Sequence, residues 1–249
     1  TWTAVREASF VSVRDRASSD VLRQGQVEHR LAPDLVHTMA IDFVPKRQRD
    51  SDLALVQMKA SVIENVGVEA IAESIARSRH FRGKRVRFFS AGSARGHDSI
   101  ALYEELQACI SLMNPSLVTE ISSATSPMDK VEEIATCGLW IGTSLHGLIL
   151  STAFDVPRVG LELDKLVRYG TTWEETMPLG VAVGELDDAI DQAMTADARS
   201  VSSGRARELA GLADRNVREA VDILRESGDA PGLLPDRSAT DAELRRRRR

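Results

Sequence analysis

The stretch from Leu139 to Gly160, LWIGTSLHGLILSTAFDVPRVG, constrains the fold more than any other part of the chain. A short apolar strand, Leu139 to Ile141, runs into three small residues, Gly142, Thr143 and Ser144. These lead into a helix of about ten residues that opens with Leu145, His146 and Gly147, and Val156 and Pro157 then start a second strand. Strand, tight turn, helix and strand in that order form the unit of an open parallel α/β sheet. In such a sheet the turn lies at the carboxyl end of a strand and the amino end of a helix, where unpaired backbone N–H groups face the ligand crevice. That position suits an anion. His146, in the first helical turn, puts a titratable donor at the crevice rather than a fixed cation. It also reads as a helix histidine satisfied by backbone, although its place just after Gly-Thr-Ser favours chemistry over packing.

The rest of the chain repeats the alternation. Phe10 to Val13 reads as a short strand ending at Arg14 and Asp15, and Ser18 or Ser19 can cap a helix that stops at Gly25. Val27 to Leu31 is a second strand, closed by Ala32, Pro33 and Asp34. This β-α-β unit sets Arg14 and Asp34 at the carboxyl ends of two strands. The charged run from Pro45 to Asp52 reads as a linker. Further strands are expected from Leu53 to Met58, Lys84 to Phe89, Val118 to Ile121, Arg158 to Leu161 and Val181 to Val183. Helices are expected from Val66 to Arg79, from Ser99 to Met113 with Asp98 as N-cap, from Met128 to Thr136, and from Leu186 to Met194. A closing helix from Gly204 to Glu226 would place Leu209, Leu212, Val217, Val221 and Leu224 on one face.

From Leu53 onward about five strand-helix units make one complete Rossmann-like domain, a doubly wound parallel sheet, whereas the residues before Pro45 supply a single unit. The expected organisation has three parts. Residues 1 to 45 are the end of an amino-terminal Rossmann-like domain, most of which the chain does not contain. Residues 50 to 226 are a full carboxyl-terminal domain whose closing helix packs back across the junction, and residues 227 to 249 are a disordered, polar tail.

Charge and cysteine usage narrow the partners. A formal net charge of -5 argues against nucleic acid, and the run Arg245 to Arg249 reads as a solvated tail. Cys109 and Cys137 are too few for a disulfide framework or a zinc cluster, so both are expected as buried thiols in a reducing compartment. His37, His80 and His97 have no metal-ligand spacing and read as structural or exposed, so no metal is expected. No stretch is long and apolar enough to cross a bilayer and the start of the chain has no signal-peptide pattern, which makes the cytoplasm the expected location. Gly92 to Gly96 lacks the lysine and hydroxyl residue of a Walker loop. Arg14 reads either as a partner of Asp15 or Asp34 or as a crevice cation. Lys165, in the loop after the strand ending at Leu161, would by itself be a solvated lysine. Tyr169, Trp173 and Arg168 read equally as cleft or as core and helix-start residues.

Taken together, four elements resemble the polysaccharide pyruvyl transferase family. Gly142-Thr143-Ser144-Leu145-His146-Gly147, followed by an apolar helix and Asp155-Val156-Pro157, is similar to the family's serine-X-leucine-histidine signature and the Gly-Val-Pro beyond it. Ser12-Val13-Arg14-Asp15 with Ser18 resembles its V-R-D-x-x-S element, Ala32-Pro33-Asp34 its proline-aspartate, and Leu163-Asp164-Lys165 the loop carrying its lysine. The resemblance runs from Phe10 to about Tyr169 and implies a GT-B-like pair of Rossmann-like domains with the site in the cleft between them. It also implies polysaccharide biosynthesis at the cell envelope: phosphoenolpyruvate as donor substrate, no further cofactor, and a pyruvate ketal formed on a sugar or glycan-precursor acceptor that is lipid- or nucleotide-linked. His146 would be the general acid, and Arg14, Lys165 and the helix amino end with Gly142, Thr143 and Ser144 would hold the donor. Many members carry an arginine where Ser144 stands. The alternatives are a GT-B glycosyltransferase using a nucleotide sugar, whose retaining branch often carries a pair of glutamates not found here, and a non-catalytic glycan-binding member.

Overall fold

The computed structural model describes residues 2–92, 97–173 and 176–226. After α1 (Trp2–Glu7), a two-stranded parallel sheet pairs β1 (Ser12–Val13) with β2 (Arg30–Leu31) across α2 (Arg16–Gln24). The N-cap of α2 is Asp15, whose carboxylate accepts the Ser18 backbone N–H at 2.8 Å. The expected caps Ser18 and Ser19 therefore lie inside the helix, because an aspartate just upstream already satisfies the orphan donor. A 3-10 turn over Leu35–Thr38 and α3 (Met39–Asp42) lead into the main sheet.

That sheet has six parallel strands: β3 (Asp50–Gln57), β4 (Arg85–Phe88), β5 (Val118–Ile121), β6 (Cys137–Gly142), β7 (Arg158–Leu161) and β8 (Leu179–Val181). Their spatial order is β5-β4-β3-β6-β7-β8, so the winding reverses between β3 and β6. The helices between them are α4 (Ala60–Val66), α5 (Val68–Arg77), α6 (Ile100–Met113), α7 (Pro127–Thr136), α8 (Leu145–Ala153) and α9 (Asp164–Trp173), and α10 (Leu186–Met194) and α11 (Ala196–Glu226) follow the last strand. This is the doubly wound α/β fold that the alternation of elements predicts.

Period-two burial explains the layers. Ala54 and Val56 of β3, with Leu139 and Ile141 of β6, pack among Ile71 and Ile75 of α5, Leu106 and Ile110 of α6, and Ile190 of α10. Leu53, Leu55 and Trp140 point the other way, among Val131 and Ile134 of α7, Leu148 and Ile149 of α8, and Leu166 of α9. Val36, Met39 and Phe43 from the amino-terminal segment pack against this second face, so the segment carrying Arg14 and Asp34 is seated on α7–α9.

Several boundaries differ from expectation for identifiable reasons. The helix expected from Val66 to Arg79 starts at Val68, because Gly67 adopts φ 95°, outside the helical region, and ends α4. The expected linker is partly structure: Asp50 to Asp52 open β3, while Glu132 accepts the N–H groups of Lys46 and Arg47, both at 2.9 Å. The last strand falls earlier, at Leu179–Val181, with a 3-10 turn over Val183–Glu185. Helix α11 starts upstream of Gly204, and its buried stripe is made of small residues, Ala198, Ser202, Ala206, Ala210 and Ala213, around Leu209. Val217 and Leu224, expected on the buried face, are exposed. The helix does reach back across the amino-terminal segment, where Asn216 donates to Ser12 Oγ at 3.3 Å and Arg30 pairs with Glu219. Cys137 is buried but Cys109, on α6, only half so. Among the described residues no helix is long and apolar enough to cross a membrane. The expected disordered tail, 227–249, and residues 93–96 of the glycine loop lie outside the described residues.

Candidate active site

The carboxyl ends of β3 and β6, neighbours at the point where the winding reverses, form the floor of the site. Gln57, at the end of β3, accepts the Thr143 N–H on both its backbone carbonyl and its side-chain Oε1, each at 3.1 Å. Thr143 Oγ1 donates to the same Oε1 at 3.3 Å and accepts the Lys59 N–H at 2.9 Å. The Thr143 hydroxyl thus joins two strand ends, and Thr143 also lines the cavity above them.

The glycines of this turn are required by close approach. A Cβ on Gly147 would stand 2.5 Å from the ring of Trp140, and one on Gly142 would stand 2.7 Å from the Gln57 carbonyl oxygen. Trp140 is fully buried under the turn, so the amino end of α8 can sit this low only with glycine at both positions. Gly142 is not among the described residues that line the cavity. Ser144 is the N-cap of α8, its Oγ accepting the Gly147 N–H at 3.2 Å. Helix geometry leaves the N–H groups of Leu145 and His146 without intrahelical acceptors. The His146 side chain is exposed and has no hydrogen-bond partner among the described residues.

Above this floor is a cavity of about 550 Å³ with a mixed lining. Its apolar part includes Met39, Phe89, Val131 and Leu150. Its basic part includes Arg14, Lys59, Lys130, His146 and Lys165, which come from separate parts of the chain. Arg14 pairs with Asp34 at 2.7 Å and still lines the cavity, so the two alternatives for this residue are both realised. Lys165 sits in the first turn of α9, not in a loop as expected, because the helix begins at Asp164 directly after the turn that follows β7. Its pKa is pushed below the ordinary lysine range, first by burial, then by the positive charge of Lys59, with Asp98 opposing and Arg14 adding to the shift. A bound anion would relieve that crowding of like charges.

Asp98 is the one carboxylate among the described lining residues. It is not the N-cap of α6, a place taken by Ser99. It instead accepts from Ala91 N at 2.5 Å, Gly92 N at 3.3 Å and Gln57 Nε2 at 2.6 Å. Burial is the main cause holding its pKa above the usual carboxylate value, and these donors oppose it. The first N–H groups of the glycine loop are therefore occupied by Asp98 and are not offered to a phosphate. Among the described residues no three metal-ligating side chains come together.

Sequence reasoning missed Lys59 and Gln57, although both stand at the carboxyl end of the central strand, the position at which ligand contacts concentrate in this fold. His97, read as structural or exposed, lines the cavity, and His37, read the same way, is buried beside Tyr169. His37 Nε2 and the Tyr169 hydroxyl are hydrogen-bonded at 2.8 Å, and burial pulls the His37 pKa down to about 4.

A family model described as polysaccharide pyruvyl transferase matches residues 2–165. No curated protein matches the chain in sequence. Among solved structures, a putative UDP-N-acetylglucosamine 2-epimerase from Listeria monocytogenes is similar with a TM-score of 0.59 and 15% identity, over 89% of this chain and 60% of that one. UDP-GlcNAc 2-epimerase from Neisseria meningitidis bound to UDP-GlcNAc gives a TM-score of 0.54 and 11% identity, over 86% of this chain and 61% of that one. TcCGT1 in complex with UDP gives a TM-score of 0.53 and 11% identity, over 89% of this chain and 57% of that one. At these identities the likeness is one of fold, GT-B-like, and the chain spans about three fifths of each structure's length.

Proposed function

Because the chain belongs to the polysaccharide pyruvyl transferase family, we propose that it moves a pyruvyl group from phosphoenolpyruvate to a pair of sugar hydroxyls on a glycan or glycan precursor, forming a ketal. The observation that carries this reading is the convergence of Arg14, Lys59 and Lys165 beside His146 at the amino end of α8. Phosphoenolpyruvate presents a carboxylate and a phosphate, and two anionic groups call for fixed cations and backbone donors together. Lys59 supplies a cation in a site where many members carry an arginine at the position of Ser144.

In the proposed reaction His146 protonates the methylene carbon of the enol, leaving its neighbour oxocarbenium-like. One sugar hydroxyl adds there and loses its proton, phosphate departs with the bridging oxygen, and the second hydroxyl adds, passing its proton to the departing phosphate, to close the ketal. Positioned general acid catalysis contributes about two to four orders of magnitude, with preorganised charge supplying much of the rest. The chain's two free thiols fit a reducing, cytoplasmic setting. We assign residues 1–45 to an amino-terminal Rossmann-like domain and residues 50–226 to a carboxyl-terminal one, with the site between them.

Calorimetric titration of phosphoenolpyruvate into the chain and its Arg14→Ala variant, beside a nucleotide-sugar panel, tests this. Saturable phosphoenolpyruvate binding that Arg14→Ala weakens about tenfold is expected. Binding of a nucleotide sugar with silence toward phosphoenolpyruvate would replace the reading with a GT-B glycosyltransferase.

A further inference from the structure

We infer that helix α9 sets the spacing between Arg14 and Lys165, with Tyr169 and Trp173 acting as positioning residues for Arg14. The inference rests on the donor-site reading above. Lys165, Tyr169, Thr172 and Trp173 are spaced i, i+4, i+7 and i+8, which places them on one face of the helix. Lys165 reaches the cavity from the first turn, and the other three bind the segment that carries Arg14.

Trp173 Nε1 donates to the Arg14 carbonyl oxygen at 2.6 Å, and Thr172 Oγ1 accepts the Arg16 N–H at 3.2 Å. The Tyr169 hydroxyl accepts the Asp34 N–H at 3.2 Å and is held by His37 at 2.8 Å. Asp34 in turn grips the Arg14 guanidinium at 2.7 Å. Backbone and side chain of Arg14 are therefore both fixed from α9, one directly and the other through Asp34.

The helix itself cannot slide. Leu166, next to that stripe on the helix, is fully buried, and a Cβ on Gly170 would stand 2.1 Å from Leu179 of β8. The rise from Lys165 to Trp173 is roughly 12 Å of rigid helix. A ligand with two anionic groups thus meets two cations whose separation is built into a single secondary-structure element.

The test is a double-mutant cycle with two readouts. Trp173→Phe keeps a ring at a half-buried position and removes only the N–H, while Tyr169→Phe removes the hydroxyl from a buried one. Each is made in the parent chain and in Arg14→Ala. Phosphoenolpyruvate affinity is measured by calorimetry, and ordering of the guanidinium by the Arg14 Nε–H resonance, assigned by its loss in Arg14→Ala. Each variant is expected to weaken phosphoenolpyruvate about five- to tenfold in the parent and not at all further in Arg14→Ala, and to shift or broaden the Arg14 resonance. Equal weakening in both backgrounds, or an unmoved resonance with unchanged affinity, would overturn the inference. If phosphoenolpyruvate fails to bind the parent while Trp173→Phe still perturbs the Arg14 resonance, the positioning role stands and the donor reading falls.

Discussion

The floor and the rim of the cavity are built in opposite ways. At the floor, Gln57 and Thr143 are buried and exchange hydrogen bonds across adjacent strands of one sheet, and Trp140 fills the space under two glycines. At the rim, Arg14, Lys59 and Lys165 are partly or well exposed, and Arg14 is anchored from residues far along the chain by single hydrogen bonds. The floor has its geometry fixed by packing, which resists displacement because interiors are close-packed and deform little. The rim has its charges held by a few polar contacts, whose strength depends on protonation and solvent exposure. Backbone donors must be preorganised to act on a developing charge, whereas long cationic side chains can close on a ligand after it enters.

Three substitutions probe that division. The largest effect is expected from His146→Ala, which removes the proposed acid and leaves the hydrogen bonds of floor and rim in place: phosphate release with acceptor present should fall by about two to four orders of magnitude. Donor affinity should change by less than about threefold, and turnover left near the parent value would remove His146 from the chemistry. Next, the rim anchor should be acid-labile where the floor is not. His37 titrates at about 4 in the folded chain against 6.5 as its ordinary value. The unfolded chain binds the extra proton first, so the stability tied to neutral His37 is complete above about pH 6.5. It is lost as pH falls toward 4, by about 3 kcal/mol in all. Urea unfolding from pH 7 to pH 4 should show the parent losing more than His37→Gln over that window, and parallel losses would refute it. The smallest effect is expected from Gly147→Ala, which overpacks the floor against Trp140 and should cost about 1–3 kcal/mol, read as a lower Tm. An undiminished Tm would mean the floor is softer than its packing implies.

Much of the fold was legible because its signals are local. Strand Arg158–Leu161 and helix Leu186–Met194 fall where apolar periodicity puts them, and the helix after Ser144 starts at the Gly-Thr-Ser turn. The errors fell where a neighbouring residue could do the same job, as with Asp15 for Ser18 and Ser99 for Asp98, or where one glycine's φ interrupted a pattern, as at Gly67. At the site, the turn itself, His146 and the strand-end Arg14 stood out as candidates because each occupies a position with a fixed relation to its own strand or helix.

By itself, then, the sequence determined the alternation of strands and helices, the small-residue turn at the head of α8, and a set of motifs sufficient to point to the family that the match over residues 2–165 shows. The tertiary structure decided which side chains share the cavity. Lys59 meets the turn that carries Thr143 and His146 because β3 and β6 are adjacent at the reversal of winding, and Tyr169 reaches Asp34 because α9 packs against the amino-terminal segment. It also placed the Thr143 hydroxyl in hydrogen bonds that join two strand ends. The physical reason is range: periodicity and capping are settled within one or two turns of backbone, whereas strand order and side-chain convergence depend on contacts between residues widely separated along the chain, which no local pattern records.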